Sequence, residues 1–262
     1  MSPHTNEQME QRLYFDTVAQ LYESARPGYP SMLVDDLIWL SKIPLRGQVL
    51  DVGCGTGKST EPFAMRGFEV CALDPGANML AVCKNKLRAY PNVKYQNIAF
   101  ETCSVADQAF DLVVSGTAFH WVTEAGYAQL MRVLRPQGAV GIFWHTYLNG
   151  KEPFYERLDQ IYQDHAPNLY VADLLTTQEL DDRRKEERLL SWTGFGEWRV
   201  IRYYDRLPYS AKSYVDLLRT WSTHMNLTKP FFKAVEQAIK DVGGEVLKPI
   251  RTTLCFGRRK EQ

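Results

Sequence analysis

A glycine-rich stretch, VLDVGCGTGKST at residues 49–60, is the part of this chain whose spacing points to chemistry. Its tail contains the Gly-Lys-Ser of a phosphate-binding loop. That loop needs another glycine five positions before Gly57, where this chain has Val52. The dinucleotide-binding fingerprint also fails, because its third glycine would fall at Lys58. The spacing therefore favours neither a nucleoside triphosphate nor a dinucleotide.

The residues that stand out instead are Asp51, Gly53, Gly55 and Gly57, which follow a short apolar strand. Three glycines so close together weaken a chain unless a ligand approaches the backbone. An acidic residue at the strand end is unsuited to a pyrophosphate and suits a ligand that carries positive charge. We therefore expect such a ligand here, with a glycine-rich turn that binds nothing as the alternative.

A second carboxylate, Asp74, ends the next predicted strand, FEVCALD at 68–74. In open α/β sheets, ligands bind outside the carboxyl ends of the strands, so Asp74 and the glycine loop are expected at one edge. A carboxylate at that position can accept hydrogen bonds from both hydroxyls of a ribose. It could also cap the helix that begins near Ala77. We favour ribose binding, because the glycine loop lies at the appropriate distance along the chain.

Alternating elements position these residues. The apolar patterns predict strands at 48–52, 68–74, 92–98, 110–116, 139–145, 197–204 and 249–257. Helices are predicted at 6–25, 31–40, 77–89, 124–134, 211–224 and 230–241, with a further short helix ending near residue 67. Such alternation indicates an α/β protein with a parallel sheet covered by helices.

Two further local predictions follow from composition. The segment 136–138, Pro-Gln-Gly, is expected to close the helix of residues 124–134. Residues 152–190 are charged and predicted to be helical, and the run 181–188 is expected to form a solvated face. The late helices are interpreted as an insertion over the sheet within a single domain.

The bulk composition limits the possible partners. The 262 residues fit one large domain, and 31 basic against 31 acidic residues leave no net field to attract nucleic acid. No apolar run approaches the ~20 residues of a membrane span. Five cysteines without a Cys-x-x-Cys pair indicate reduced thiols in a cytoplasmic protein and no metal site. We expect no nucleic-acid or membrane partner. The oligomeric state is not determined by these features.

Four segments together resemble a known family: VLDVGCGTGKST, ALDPGANML, FDLVVSGTAFHWV and LMRVLRPQGAVGIFWH. They are similar to class I methyltransferases that depend on S-adenosylmethionine. With the N-terminal FDTVAQLYESARPGYP, they resemble the small-molecule (type 11) subgroup that includes trans-aconitate methyltransferases. The resemblance covers roughly residues 14–147. It implies a Rossmann-like, doubly wound, seven-stranded, mostly parallel sheet with a helical lid or insertion.

The resemblance also implies roles for the cofactor-binding residues. Gly53, Gly55 and Gly57 would let the methionine and ribose portions of S-adenosylmethionine lie against the backbone. Asp51 would face the amino group of the cofactor, directly or through water, and Asp74 would bind the ribose hydroxyls.

The adenine would lie between Pro75 and Phe100, with the backbone at Ala99 near its amino edge. Because Phe100 and Glu101 occupy positions where many relatives have a polar residue before the acidic one, either of these two could meet the ligand. Phe100 could also belong to the core.

The methionine end would be lined by Thr117 and His120 and closed by Tyr22 and Arg26 from the N-terminal helix, with Arg26 reaching the carboxylate. The alternatives are that His120 packs against Trp121 and that Arg26 is a surface charge. His120 is also the candidate general base, since an imidazole titrates in the useful range. His145 and Tyr147 are expected either near the pocket mouth or in the core.

These inferences predict methyl transfer from S-adenosylmethionine to a small-molecule acceptor. Carboxylate, amine, hydroxyl and carbon acceptors all remain open. The alternatives are a non-catalytic protein that binds the cofactor and, less favoured, a nicotinamide oxidoreductase. The expected division of the domain is an N-terminal helical lid at 1–40, a cofactor-binding core at 41–147, and a substrate-side helical insertion with the last two strands at 148–262.

Overall fold

The computed structural model describes residues 14–260 of the chain. Within that range the strands are β1 Gln48–Val52, β2 Glu69–Leu73, β3 Val93–Gln96, β4 Phe110–Gly116, β5 Leu134–Tyr147, β6 Arg199–Ser210 and β7 Glu245–Arg258. The α-helices are α1 Ala19–Ala25, α2 Ser31–Ser41, α3 Thr60–Met65, α4 Ala77–Lys86, α5 Glu124–Val133, α6 Pro153–His165, α7 Leu174–Leu190, α8 Ala211–Arg219 and α9 Lys229–Asp241. Short 3-10 helices lie at Phe100–Thr102, Phe119–Trp121 and Ser222–His224.

Among these described residues the strands form one seven-stranded sheet in the order β3-β2-β1-β4-β5-β7-β6. Strands β1 to β5 pair in parallel, and β7 runs antiparallel to both β5 and β6. The chain winds from β1 outward to β3, and then from β4 outward in the other direction. This topology confirms the predicted Rossmann-like, doubly wound sheet. It places the expected ligand crevice above β1 and β4, where the strand order reverses.

The central strands are apolar on both faces because helices cover both faces of the sheet. Val49 and Leu50 in β1, and Val113 and Val114 in β4, are completely buried. Val49 and Val114 belong to one hydrophobic cluster, whereas Leu50 and Val113 belong to another. The two clusters hold the carboxyl ends of the parallel strands, and therefore the loops that follow them, in fixed positions.

Strand β5 begins earlier than the sequence predicts. The segment 136–138 lies inside β5 instead of closing α5, which ends at Val133. The pairing with β4 passes directly from Phe110–Leu134 to Leu112–Ala139, so β5 contains extra residues at this point. A bulge accommodates such residues without ending the strand.

Strands β6 and β7 are also longer than the predicted ranges 197–204 and 249–257. Their antiparallel pairing continues from Arg199–Phe256 to Ser210–Glu245. The β5–β7 pairing, in contrast, reaches its limit at Tyr147–Ile250. The ribbon formed by β6 and β7 therefore extends beyond the rest of the sheet. Backbone pairing holds this extension, and the alternation of polar and apolar side chains in the sequence does not indicate it.

A second core lies beside the extended ribbon and is formed mainly by α6, α8 and α9. In α9, Phe231, Val235 and Ile239 are completely buried at a spacing of four residues, as expected of an amphipathic helix. Tyr214 of α8 is equally buried in the same cluster. The predicted helix 211–224 is shorter than expected, since α8 ends at Arg219 and the 3-10 helix follows separately.

The prediction of a solvated face at 181–188 is wrong for Asp182, whose side chain is only 5% exposed. Its carboxylate accepts hydrogen bonds from Trp144 Nε1 at 2.7 Å and Thr146 Oγ1 at 2.6 Å, and it pairs with Arg251 Nη2 at 2.9 Å. Burial alone would raise the pKa of the Asp182 carboxyl, but these partners outweigh burial and hold its pKa below the ordinary value. Asp182 thus attaches α7 to β5 and β7.

Residues 6–13 of the predicted N-terminal helix lie outside the described residues, whereas 14–17 and α1 are helical. All five cysteines are free, and four of them are buried. No helix among residues 14–260 combines the length and apolar character required to cross a bilayer.

Candidate functional site

A cavity of about 320 Å³ opens at the carboxyl ends of the parallel strands. That volume lies at the lower end of the ~300–1,000 Å³ typical of small-molecule sites. Predicted site residues that line it are Tyr22, Arg26, Gly53, Gly55, Asp74, Pro75, Ala99, Phe100, Glu101, Thr117 and His120. Two others, Asp51 and Gly57, do not line it.

The glycine loop forms the floor of the cavity, and its three glycines have different functions. Gly53 and Gly55 have φ of +69° and +53°, in the left-handed region that glycine adopts without strain. A Cβ at Gly53 would overlap the Cβ of Ala118, whereas a Cβ at Gly55 would meet only open space. A ligand can therefore lie directly against the backbone at Gly55.

Gly57 differs from the expectation that it meets the ligand. Its φ is +86°, and a Cβ there would come within 2.6 Å of Cys83 Sγ on α4. This glycine allows the loop to pack closely against α4 and does not face the cavity.

Asp51 lies beneath the glycine loop and does not itself line the cavity. Its side chain is completely buried, and Oδ2 accepts hydrogen bonds from Ser59 Oγ and Thr60 Oγ1, both at 2.7 Å. Burial raises the pKa of the Asp51 carboxyl to about 6, although the two hydroxyl groups oppose the rise. Asp51 therefore fixes the start of α3 beneath the loop through Oδ2, whereas its Oδ1 has no hydrogen-bond partner among the described residues.

Asp74 lies at the end of β2, where its carboxylate is oriented by two backbone groups. Oδ2 accepts from the amide of Gly55 at 2.8 Å, and Oδ1 accepts from the amide of Gly76 at 2.7 Å. In the first turn of α4, the backbone amides of Asn78 and Met79 donate to Asp16 Oδ1 instead, at 2.8 and 3.0 Å. The side chain that caps the first turn of α4 is therefore Asp16, and Asp74 faces the cavity.

An apolar slot adjoins Asp74. Pro75, Ala99 and Phe100 line it, together with Ile98, which the sequence did not single out. Phe100 is 4% exposed, so it contributes to the core and to the slot at once. Glu101 also lines the cavity, but its Oε1 accepts from the amide of Thr123 at 3.0 Å. Pro75, Ile98, Ala99 and Phe100 thus give this part of the cavity an apolar surface.

The N-terminal helix contributes Tyr22 and Arg26 to the cavity wall. The Arg26 guanidinium donates from Nε to Thr220 Oγ1 at 2.7 Å and from Nη2 to the Thr220 carbonyl at 3.1 Å. It also lies over the rings of Tyr22 and Tyr147, at 5.1 and 5.5 Å from their centroids. Arg26 is thus a wall of the cavity that connects α1 to the end of α8.

The loop after β4 contributes Thr117 and His120. Thr117 has φ +55°, and its hydroxyl lies 2.9 Å from Tyr29 Oη. The His120 ring lies 4.6 Å from the Trp121 ring, and both side chains line the cavity. His120 therefore packs against Trp121 and also lines the cavity, so the two alternatives for His120 do not exclude each other.

His145 and Tyr147 lie at the cavity as well, but His145 is engaged through both ring nitrogens. Its Nδ1 lies 2.9 Å from Thr252 Oγ1, and its Nε2 lies 3.2 Å from the Gly28 carbonyl, to which it donates. Burial lowers the pKa of His145 to about 4, so the ring is neutral at pH 7. It therefore maintains the geometry of the wall.

Further residues that the sequence did not identify also line the cavity. They are Trp221, Ser222 and Thr223, which follow α8. The adjacent His224 lies 2.6 Å from Tyr162 Oη through Nε2, which ties the segment to α6. No spacing pattern marks these residues, because the contact depends on how the helices pack against the sheet.

Comparison with known proteins agrees with this geometry. A family model described as a methyltransferase domain matches residues 49–138. An uncharacterized methyltransferase from Mycobacterium tuberculosis is 37% identical over 135 residues, which are 51% of this chain and 53% of that protein. A probable S-adenosylmethionine-dependent methyltransferase from Saccharomyces cerevisiae is 31% identical over 181 residues, 66% of this chain and 58% of that protein. The chain spans little more than half the length of these curated relatives.

A solved structure from Anaeromyxobacter dehalogenans, a candidate type II methyltransferase, superposes with a TM-score of 0.64 at 21% identity. The match covers 90% of this chain and 97% of that one, which shows a shared fold. The family model covers the glycine loop, Asp74 and the loops after β3 and β4, which together line much of the cavity. Residues 49–138 therefore form a methyltransferase domain on the class I fold, and the chain is similar to methyltransferases that depend on S-adenosylmethionine.

Proposed function

We propose that this protein transfers a methyl group from S-adenosylmethionine to a small-molecule acceptor. The observation that carries the proposal is one cavity in which an open glycine backbone, an oriented carboxylate and an aromatic wall meet. S-adenosylmethionine supplies an electrophilic methyl group on a sulfonium, and the protein supplies orientation and a water-poor site.

The residues present fit this cofactor. Gly53 and Gly55 leave their backbone atoms accessible to the cofactor. The carboxylate of Asp74, which two backbone amides orient, accepts hydrogen bonds from the ribose hydroxyls. The slot at Pro75, Ala99 and Phe100 takes the adenine. The cavity wall at Tyr22, Arg26 and Thr117 takes the methionine end, with the Arg26 charge near the carboxylate.

The acceptor occupies the side formed by His120, Tyr147 and the segment after α8. A small molecule is favoured over a nucleic acid because the described lining has two basic side chains, Arg26 and Lys58, against the three carboxylates of Asp16, Asp74 and Glu101. Arg26 is held by Thr220, and Lys58 Nζ donates to the Glu23 carbonyl at 2.7 Å. A cavity of about 320 Å³ with aromatic side chains in its wall admits something of metabolite size.

His120 accepts the proton that an amine, hydroxyl or carbon acceptor loses as its new bond to the methyl group forms. His145 is unsuited to this role, because both of its ring nitrogens are occupied and burial keeps it neutral at a pKa of about 4. A carboxylate acceptor carries no proton to remove and would not need His120.

The direct test incubates the purified protein with methyl-labelled S-adenosylmethionine and a metabolite extract, followed by mass spectrometry of labelled products. Trans-aconitate belongs in a parallel panel of defined acceptors, because the resemblance to that subgroup stays a prediction. A labelled small product supports the proposal. Bound cofactor with no labelled product from any extract would favour the non-catalytic alternative.

Replacing Asp74 with Ala is expected to weaken S-adenosylhomocysteine binding by ~1.5–3 kcal/mol, the scale for losing a hydrogen bond to a charged group. Calorimetry measures the change, and NAD and ATP serve as ligands that should not bind. The matched control is Asp164→Ala, which removes an exposed carboxylate on α6. Equal affinities in the two variants would contradict ribose recognition by Asp74.

The N-terminal segment is expected to act as a lid ordered by the cofactor. Helix α1 contains seven residues, fewer than an isolated helix needs for stability. Its attachment depends on side chains such as Glu23, which pairs with Lys58, and Arg26. Amide hydrogen exchange across 14–30 should slow on adding S-adenosylhomocysteine, while α9 stays unchanged. Equal protection with and without ligand would identify the helix as a permanent part of the core.

A further inference from the structure

A wide groove of about 850 Å³ lies at the end of the sheet opposite the cofactor cavity. It is lined by residues at the amino ends of strands, such as Lys42 before β1 and Arg199 at the start of β6. Arg258 lies at the end of β7, which runs antiparallel to β5 and so finishes at the same edge. The groove therefore shares no wall with the methyl-transfer site.

The groove is strongly basic. Among residues 14–260, Lys42, Arg199, Arg258, Arg259 and Lys260 line it, and Glu197 is the single acidic residue of that lining. Within residues 14–260, none of these five cations forms an ion pair. The chain as a whole has no net charge, so this excess of positive charge is local.

Two of the guanidinium groups are held in place by the backbone. Arg258 donates to the carbonyls of Gln137 at 2.7 Å and Leu40 at 2.5 Å, and Arg259 donates to the Leu134 carbonyl. Carbonyl groups orient a guanidinium but do not neutralise it, so the positive charges remain available to carboxylates.

An exposed indole adjoins these charges. Trp39 of α2 lines the groove and is 73% exposed, an unusual position for a side chain that normally buries most of its surface. Tryptophan and arginine are the residues that most often dominate the binding energy of protein interfaces. The groove thus presents both an apolar anchor and a cluster of charges.

We propose that this groove docks an acidic, extended segment of a partner protein. Its carboxylates bind the cations, and one apolar side chain packs on Trp39. A single-stranded nucleic acid would need several aromatic side chains in series along a basic track, and the described lining offers one exposed indole. A groove is concave, so it admits a chain segment more readily than a flat bilayer.

The test uses fluorescence anisotropy with a short labelled peptide of glutamates around a central leucine. Arg199→Glu combined with Lys260→Glu should weaken binding at least about tenfold, as should Trp39→Ala, on the scale of interface hot spots. The matched controls are Lys229→Glu combined with Lys233→Glu on α9, and Leu45→Ala, which removes an exposed apolar side chain outside the groove. Binding should weaken as salt rises.

The same proteins are then titrated with polyuridylate and with phosphatidylserine vesicles. Tighter binding to either of these than to the peptide would overturn the proposal, as would failure of the peptide to bind. Equal losses in the groove and control variants would also overturn it. S-adenosylhomocysteine affinity should be unchanged in every variant. This separates failure of the docking proposal from failure of the methyl-transfer proposal.

Discussion

Replacing His120 with Ala is expected to lower turnover by ~10²–10⁴, with S-adenosylhomocysteine affinity little changed. The imidazole lines the cavity beside Trp121, on the wall where the acceptor is proposed to bind. Removing it leaves the glycine loop and Asp74 intact, so the loss should appear in the rate of methyl transfer. Single-turnover measurement with labelled cofactor and the identified acceptor reports that rate.

The control for this substitution is His165→Ala, which removes an exposed histidine at the end of α6 that does not line the cavity. Partial recovery of the His120→Ala rate by added imidazoles, increasing with their basicity, would support a base, because a molecule that only refills the space would show no dependence on basicity. If His120→Ala keeps the full rate, the acceptor needs no base. A carboxylate acceptor is then favoured.

Replacing Asp182 with Ala is expected to lower the free energy of unfolding by ~3–5 kcal/mol, because it leaves Arg251 buried without its partner. Trp144 and Thr146 lose their hydrogen-bond acceptor at the same time. Chemical denaturation at pH 7 measures the effect. Because the pKa of Asp182 is lowered in the folded protein, its stabilisation is present above the unfolded pKa and is lost as pH falls through the folded pKa.

The adjacent Asp181 provides a matched control. Its side chain is 54% exposed and pairs with Arg184 at 3.3 Å on the surface of α7. Surface pairs of this kind contribute ~0–1 kcal/mol, so Asp181→Ala should have little effect. Similar losses of stability in the two variants would show that the buried network around Asp182 is not what attaches α7 to the sheet.

The prediction of the fold was accurate where apolar periodicity and local breakers decide the element. The strands that begin at Gln48 and Phe110 were located correctly, because a buried parallel strand is an apolar run between polar loops. Element ends were less accurate, as in the long ribbon of β6 and β7. There β6 and β7 continue because they pair with each other. Such pairing depends on a distant segment of the same chain and leaves no pattern in the local sequence.

The sequence by itself predicted a ligand against the backbone at Gly53, Gly55 and Gly57, and it placed Asp74 at the same edge, where Asp74, Gly53 and Gly55 do line the cavity. These positions follow from local rules, namely the freedom of glycine and the meeting of parallel strand ends at one edge. The spacing of the glycines also excludes the phosphate-binding loop and the dinucleotide-binding fingerprint, because each of these motifs needs a fixed spacing that this chain lacks.

Only the tertiary structure decided which neighbours each of the remaining side chains meets. It buried Asp51 beneath the glycine loop, turned Gly57 toward α4, and joined Arg26 to Thr220 across 194 positions of the chain. It also placed Asp182 against the sheet, although the surrounding run is charged. The physical reason is that burial and hydrogen bonding depend on the packing of distant elements, whereas composition and periodicity describe only residues close in sequence.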